Sequence, residues 1–265
     1  MSIKRQHAVL DPISDQSSAV IALTRNYPGG HEIPWHFHDL DQLLYAYRGV
    51  MTVSTSDGTW IVPTYRAVWI PAALAHTITM SGMVAMRSLY FRRRIIKSMP
   101  RTCCVVSVPP LLRELIAGAS ELGTLNRANR TQRHLMLMIA DQLRAINMEP
   151  LRLPTPTDPR AMRVAEILRS DPGERRPFAL LCKQVGASKR TVERLFLRDV
   201  GMTCGKWRQQ LRLMHAMRYL AEGAKVTDAA LQSGYSTPSA FVSMFRKTLG
   251  TTPRAYFREV GNRNY

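Results

Sequence analysis

Two histidines separated by a single residue, His36 and His38, lie in a segment rich in alternating apolar and polar residues. Positions i and i+2 of a β-strand project to the same face, so both imidazoles would point to one side. Imidazole nitrogens bind first-row divalent metals and also form hydrogen bonds with organic ligands. The spacing leaves three interpretations open: a metal site, a pocket for an organic effector, or histidines whose hydrogen bonds are satisfied within the fold.

A second set of reactive side chains lies on a predicted helix that ends near Val200. Val192, Leu195 and Phe196 form its apolar face, and the opposite face is basic. Arginine can bond guanine O6 and N7 together, and a glutamate can accept from cytosine N4. We therefore predict DNA contacts from this helix, made by Lys189, Arg190, Thr191, Glu193, Arg194 and Arg198.

A later helix has the same design with different polar groups. Phe241, Met244 and Phe245 form its apolar face. Its outer face carries short hydroxyls and two basic residues, which suit phosphate contacts and modest base contacts. We predict that this second helix contributes less to sequence reading, through Ser236, Thr237, Ser239, Ser243, Arg246 and Lys247.

Both helices belong to an internal duplication. Residues 184–188 match residues 232–236 at an offset of 48, and after one inserted residue the match continues at 49. Each copy is a short helix, a glycine turn, a serine at the N-cap and a longer amphipathic helix that ends at glycine. This pattern predicts helix-turn-helix units at about 179–200 and 227–249. The helix between them would span roughly 25 Å, which could place two recognition helices about one DNA turn apart, roughly 34 Å.

The charge distribution points to a polyanionic partner. The chain has 265 residues, with 37 Lys and Arg against 19 Asp and Glu, a net charge of +18. Residues 158–265 hold 20 of the basic and 9 of the acidic residues. So positive a field attracts nucleic acid, and we predict double-stranded promoter DNA as a partner.

Other features of the sequence bear on where in the cell the protein is found. The apolar run at 67–75 is interrupted by Pro71 and is too short to cross a bilayer, and the N-terminus has no apolar secretory segment. The four cysteines form no C-x-x-C pair. We expect a cytoplasmic protein that does not interact with membranes.

The chain divides into segments that differ in their pattern of apolar and polar residues. Alternating residues with frequent Gly and Pro predict an antiparallel sandwich or barrel up to about residue 95. Three- and four-residue apolar spacing, which includes Leu111 and Met138, predicts two helices over 109–148. Four prolines within ten residues predict an extended linker. The predicted segments are a sensor domain (1–95), a helical dimerisation segment (96–148), a linker (149–158) and an all-α DNA-binding domain (159–260).

The C-terminal third resembles a known family. The run Gly-Tyr-Ser-Thr-Pro-Ser-Ala-Phe that begins at Gly234, closed by Gly-Thr-Thr-Pro at 250–253, is specific to AraC/XylS-type bacterial transcription regulators. The resemblance covers residues 160–258 and implies a seven-helix domain with both helix-turn-helix units on one face of the duplex. Cys204 and Phe178 depart from the family pattern, and we interpret both as packing substitutions.

The N-terminal segment resembles cupins over about residues 20–91. The first motif is Gly30-x5-His36-x-His38-x3-Gln42-x6-Gly49, and the second ends at His76, with Ala73 in place of a glycine. This resemblance implies a cupin-like β-barrel in an α+β multidomain chain. His36, His38 and His76, with the carbonyl of Gln42, could then hold Zn²⁺, Ni²⁺, Mn²⁺ or Fe²⁺. The alternatives are an organic effector that is hydrogen-bonded by the same histidines, and histidines that are satisfied within a barrel that only dimerises.

Together these features predict a sequence-specific transcriptional regulator, an activator or a repressor, that is controlled by a small-molecule or metal effector. We expect a homodimer that also contacts RNA polymerase. The alternatives are a cupin-type metalloenzyme fused to a DNA-binding domain, or a non-specific nucleoid binder. We predict no enzymatic activity, because the sequence has no nucleophile elbow and no phosphate-binding loop.

Overall fold

A computed structural model of the protein describes residues 8–9, 18–92, 95–96, 99–144, 148–149 and 151–261. The chain forms two compact units, an N-terminal unit (1–56 and 60–152) and a C-terminal unit (57–59 and 153–265). Within the described ranges, every helix is too short or too polar to cross a membrane.

The N-terminal unit is built on one large sheet, which confirms the predicted sheet-rich domain. Neighbouring strands follow the order β1-β3-β7-β4-β6-β8-β10, while β2 pairs with β7 and β9, and β5 pairs with β4. Strand β1 runs parallel to β3, and the pairs β2–β7, β2–β9, β3–β7, β4–β6, β4–β7, β6–β8 and β8–β10 are antiparallel. The strands of the chain are β1 (Ala8–Val9), β2 (Val20–Tyr27), β3 (Glu32–Phe37), β4 (Asp41–Thr55), β5 (Gly58–Pro63), β6 (Arg66–Ile70), β7 (His76–Phe91), β8 (Cys104–Ser107), β9 (Thr124–Leu125), β10 (Met148–Glu149) and β11 (Arg152–Pro154).

The long strands β4 and β7 pair along most of their length, with a register shift between Ala46 and Val50. Gly49 lies in this irregular stretch with a φ of +82°, and a Cβ there would stand 2.5 Å from the carbonyl oxygen of Met83. Only glycine fits so close an approach at positive φ. The irregularity divides each long strand into two halves that pair with different neighbours.

Two helices, α1 (Pro110–Leu122) and α2 (Arg130–Arg144), cover one face of the sheet. Leu112 and Ile116 of α1, with Ile139 and Leu143 of α2, are buried in one cluster with sheet residues. Leu111 and Met138, which belong to the apolar spacing that predicted these helices, are exposed. Met136 and Ala140 take the inward positions of α2 instead.

The predicted linker is not free of regular structure. Strand β11 lies within residues 149–158, and Leu151 and Leu153 are both buried. The prolines gave no sign of this strand, since proline is compatible with both a linker and an edge strand.

The C-terminal unit is helical, as predicted. Trp207 of α6 is fully buried at its centre, where its indole N–H donates to the Pro154 carbonyl at 2.8 Å and its ring meets Phe196 edge-on. The helices are α3 (Pro159–Ser170), α4 (Phe178–Gln184), α5 (Lys189–Val200), α6 (Cys204–Ala221), α7 (Val226–Gln232), α8 (Pro238–Leu249) and α9 (Pro253–Gly261).

The helix pairs α4–α5 and α7–α8 repeat the same local geometry. The turn after α4 is closed by a hydrogen bond from Ala187 N to Cys182 O, and the turn after α7 by one from Tyr235 N to Ala230 O, both 3.0 Å long. Both bonds join residues at the 48-residue offset. The predicted serine N-cap holds for α5, where Ser188 caps, but Thr237 caps α8 rather than Ser236. The inserted residue therefore moves the second cap by one position.

Candidate functional site

The outer face of α5 presents a stripe of basic residues. Ser188 accepts a hydrogen bond from the amide of Thr191 and thereby fixes the start of the helix. Arg190 and Arg194, four residues apart, lie one turn above the other, and both are exposed, as is Lys189. Three of the residues predicted to contact DNA therefore project from the domain surface.

The other three predicted contacts of α5 are engaged within the unit. Glu193 Oε2 accepts from the amide of Cys204 at 3.0 Å, at the start of α6. Arg198 donates to Asp199 Oδ1 at 2.7 Å and lies 3.7 Å from Asp158. The Thr191 hydroxyl is 2.9 Å from Ser188 Oγ. These contacts hold α5 in place, so a base contact by Glu193 or Arg198 would first have to break them.

The Asp199 carboxylate links α5 to the start of α3. It accepts from the backbone amides of Thr157 and Asp158 at 3.0 and 2.8 Å, in addition to its bond with Arg198. Its hydrogen bond with the Arg198 guanidinium holds the pKa of this carboxyl well below its usual range. This network orients the outer face of α5 relative to the rest of the C-terminal unit.

The outer face of α8 differs from that of α5 in the way predicted. At the 49-residue offset, Ser239 and Ser243 occupy the positions of Arg190 and Arg194. The six residues predicted to contact DNA from this part of the chain are all exposed. Several of them line a shallow surface groove, which is formed by Pro238, Ser239, Val242, Ser243, Arg246, Lys247 and Thr252.

The N-terminal unit brings together the three predicted histidines. His36 of β3 and His76 of β7 are paired in the strand register, which places their side chains beside each other, and their rings are 4.2 Å apart between centroids. His38 follows β3 directly. One ring nitrogen from each residue lies within 4.8 Å of those of the other two, and all three side chains are buried.

Backbone carbonyls face the Nδ1 atom of all three rings. The Nδ1 atoms of His36, His38 and His76 lie 2.8, 2.7 and 2.9 Å from the carbonyls of Pro34, Leu40 and Leu74. A carbonyl only accepts, so each of these Nδ1 atoms donates, and neutral His36 and His76 rings then have their lone pair on Nε2. His38 Nε2 differs, because it contacts Gln42 Oε1, which can only accept. Burial, reinforced by the neighbouring His36, lowers the pKa of His76 to about 3. Burial likewise lowers the pKa of His36.

Gln42 joins this cluster from strand β4. Its Oε1 lies 2.9 Å from His38 Nε2, and its Nε2 donates to Ser88 Oγ and to Tyr90 Oη, both at 3.0 Å. Sequence reasoning missed Ser88 and Tyr90, which lie on β7 more than 40 residues from Gln42. The signal that could have found them is their alternation with Leu89 and Phe91.

The loop before β7 positions His76. The amide of Ala73 donates to the His38 carbonyl at 2.8 Å, and the amide of Ala72 donates to Asp41 Oδ1 at 2.9 Å. Ala73 has a φ of +65°, the left-handed region that favours glycine. It is also the position at which the cupin resemblance expects a glycine.

Comparison with known proteins places both units. Residues 18–141 match the model of an AraC-like ligand binding domain, and residues 181–259 match that of a helix-turn-helix domain. The chain is 32% identical over 223 residues to the HTH-type transcriptional regulator NimR of Escherichia coli K12, covering 84% of this chain and 81% of NimR.

The chain is also similar to more distant proteins. The HTH-type transcriptional regulator RipA of Corynebacterium glutamicum is 31% identical over 108 residues, which cover 40% of this chain and 33% of RipA. Among solved structures, ToxT of Vibrio cholerae O395 is 12% identical with a TM-score of 0.39, over 92% of this chain and 99% of ToxT. The two domain matches and the similarity to NimR show that the chain belongs to the AraC family of transcriptional regulators, with an N-terminal ligand-binding domain and a C-terminal DNA-binding helix-turn-helix domain.

Proposed function

We propose that this regulator binds promoter DNA through two helix-turn-helix units, α4–α5 and α7–α8, and that an effector in the N-terminal unit controls its affinity. The observation that carries the proposal is the repeated geometry of the two helix pairs, each with its second helix exposed along a polar or basic outer face. Paired recognition helices suit successive major grooves of one duplex.

The two recognition helices divide the work between them. Arg190 and Arg194 are exposed and can each bond a guanine edge, so α5 reads bases. Ser239 and Ser243 make modest base or phosphate contacts from α8, and Arg246 and Lys247 neutralise phosphates. Lys189, Ser236 and Thr237 contact the backbone near the two helix N-termini. Glu193, Arg198 and Thr191 support α5 from within the unit through the contacts described above.

The N-terminal unit supplies control and assembly. Its sheet forms a cupin-like barrel around His36, His38, Gln42 and His76, which is the effector site. Helices α1 and α2 expose Leu111, Leu122, Leu137 and Met138, and a second copy of the chain covers this apolar surface in a homodimer. Effector occupancy changes the placement of the DNA-binding units, and thereby operator affinity or contact with RNA polymerase.

Selection of genomic fragments by the purified full-length chain at physiological salt, followed by footprinting, tests this function. We expect enriched sites with two protected major grooves for each protomer. Binding without sequence enrichment, lost only as salt rises, would instead identify a non-specific nucleoid binder and would contradict the proposal.

A further inference from the structure

The histidine cluster brings three ring nitrogens together in a buried position. His36, His38 and His76 are 4%, 2% and 0% exposed, and each Nδ1 is occupied by a backbone carbonyl. The nitrogens that can still meet a ligand are therefore the three Nε2 atoms, of which that of His38 contacts Gln42 Oε1 at 2.9 Å. His76 Nε2 is buried without a hydrogen-bond partner among the described residues. A buried polar atom left in this state is costly, and it points to a missing partner.

The partner that satisfies several lone pairs at once is a cation. The oxygen lone pairs of an organic carboxylate would face the nitrogen lone pairs of the rings, and the carboxylate would be repelled. A single hydroxyl could donate to one Nε2 and would leave the others unsatisfied. A metal ion is a Lewis acid that accepts from all three nitrogens together.

The donor set also selects the class of metal. Imidazole nitrogen suits zinc, nickel, copper and iron, whereas magnesium and calcium require oxygen ligands. Nitrogens bound to zinc at about 2.1 Å would lie about 3.4 Å apart in a tetrahedral site. Because the three ring nitrogens already lie within 4.8 Å of one another, small side-chain movements close the site.

The carbonyls of Pro34, Leu40 and Leu74 complete an outer shell. Metal-bound histidines usually donate their second ring N–H to a carbonyl or carboxylate, which fixes the orientation of the ring. We assign Gln42 to this shell rather than to the ligands, because its Oε1 contacts His38 Nε2 while its Nε2 donates to Ser88 and Tyr90. Loading His38 Nε2 with metal replaces its contact with Gln42 Oε1.

We propose that His36, His38 and His76 bind one first-row divalent transition-metal ion through their Nε2 atoms, and that this ion is the effector of the regulator. The metal site stands on the cluster itself, whereas the role of the ion as effector rests on the proposed function. Three protein ligands leave one position of a tetrahedral ion open to water.

The test uses the untagged full-length chain, stripped with a chelator and titrated with Zn²⁺, Ni²⁺ or Co²⁺ by calorimetry. We expect one ion per chain for at least one of these metals, and binding weakened by at least about 100-fold in His36→Asn and His76→Ala. Asparagine at position 36 can still donate to the Pro34 carbonyl, so this variant separates loss of the ligand from loss of the fold. The matched control is His31→Ala, an exposed histidine of the same unit, which should bind as the wild type does.

Co²⁺ absorption spectra and Gln42→Ala refine the ligand set. We expect Gln42→Ala to lower metal affinity by about 10- to 100-fold while the Co²⁺ spectrum keeps its position, as for an outer-shell residue. A Co²⁺ spectrum altered by Gln42→Ala would overturn the assignment of Gln42 to the outer shell.

Operator affinity separates the remaining outcomes. A change of at least fivefold on metal loading, in the wild type and not in His36→Asn, supports the ion as the effector. Absence of stoichiometric metal binding, or equal binding by wild type and His36→Asn, overturns the site. Metal binding that leaves operator affinity unchanged overturns the effector role. Failure of all forms to select DNA sequences, with metal binding intact, contradicts the proposed function and leaves the metal site standing.

Discussion

Arg194 and Lys247 carry the same charge on the outer faces of α5 and α8, yet we expect their loss to have different effects. Arg194→Ala should remove a base contact, lower affinity for the preferred site by about 1–3 kcal/mol and relax the preference at one position. Lys247→Ala should weaken binding evenly across sequences and reduce the salt slope by about one unit. Binding to a library of operator variants at several salt concentrations measures both effects.

Arg198→Ala is the matched control for the loss of a positive charge on α5. Because its guanidinium pairs with Asp199 and Asp158, we expect a small loss of stability and no change in base preference. A relaxed preference in Arg198→Ala, together with an unchanged one in Arg194→Ala, would show that the base-reading and supporting roles are reversed.

Ala73 holds a backbone conformation that costs an ordinary residue about 1–2 kcal/mol. Ala73→Gly should therefore stabilise the N-terminal unit by about 0.5–1 kcal/mol, after the greater flexibility of glycine in the unfolded chain is subtracted. Ala72→Gly is the control, since Ala72 is not among the residues with positive φ. The stability of the N-terminal unit can be measured by urea unfolding, with hydrogen exchange of β3 and β7 as the probe. An equal gain in stability in Ala72→Gly and Ala73→Gly would contradict this explanation.

At the residue scale, the sequence was informative where a short pattern carries the geometry. His36 and His38 were found by strand alternation, and His76 by the cupin resemblance. Glu193 and Arg198 could not be judged in the same way, because their partners Cys204 and Asp158 lie 11 and 40 positions away. Helical periodicity predicts the direction in which a side chain points. It does not predict which distant residues of the chain will contact that side chain.

At the scale of elements, the turn glycines of the two helix pairs have the same conformation but different surroundings. Gly186 and Gly234 have φ values of +70° and +81°. A Cβ on Gly186 meets open space, whereas one on Gly234 would lie 2.8 Å from Arg212 Nη2. Arg212 is held in turn by hydrogen bonds to the carbonyls of Pro172 and Glu174.

We therefore expect Gly186→Ala to cost about 1 kcal/mol of local stability through its backbone conformation alone. Gly234→Ala should cost at least about 1 kcal/mol more, because Arg212 must leave its two carbonyl partners. Hydrogen exchange of α7 and α8 peptides in the full chain measures the difference. Equal losses in the two variants would mean that Arg212 moves aside without a penalty.

Local signals predicted both ends of α5 and the end of α8, whereas the start of α8 was predicted one residue too early, at Ser236. Ser188 and Gly201 bound α5, and Thr237 and Gly250 bound α8. The buried faces of α1 and α2 were predicted less well, since apolar residues lie on more than one side of each helix. Strand β11 was missed because its burial depends on partners remote in sequence.

At the scale of the whole molecule, the exposed leucines of α1 and α2 predict self-association. Leu137 is 55% exposed, and Leu137→Glu should place a charge in the proposed dimer contact. We expect a monomer by sedimentation velocity and a loss of operator affinity of at least about tenfold, since the two protomers then bind independently. Met83→Glu, which alters a residue 58% exposed on β7, should remain dimeric. A dimer that survives Leu137→Glu would exclude this residue from the interface.

In the N-terminal unit a single layer of strands separates the histidine cluster from the core that α1 and α2 cover. On β4, Gln42 contacts the histidine cluster while the next residue, Leu43, packs in the core that α1 and α2 cover. On β7, Ser88 and Leu89 repeat this division. Adjacent residues of one strand thus determine the chemistry of the pocket on one face and the packing against the helices on the other. An engineer who changes the ligand preference of such a regulator should therefore select for assembly in the same experiment, because one strand cannot be redesigned for either purpose alone.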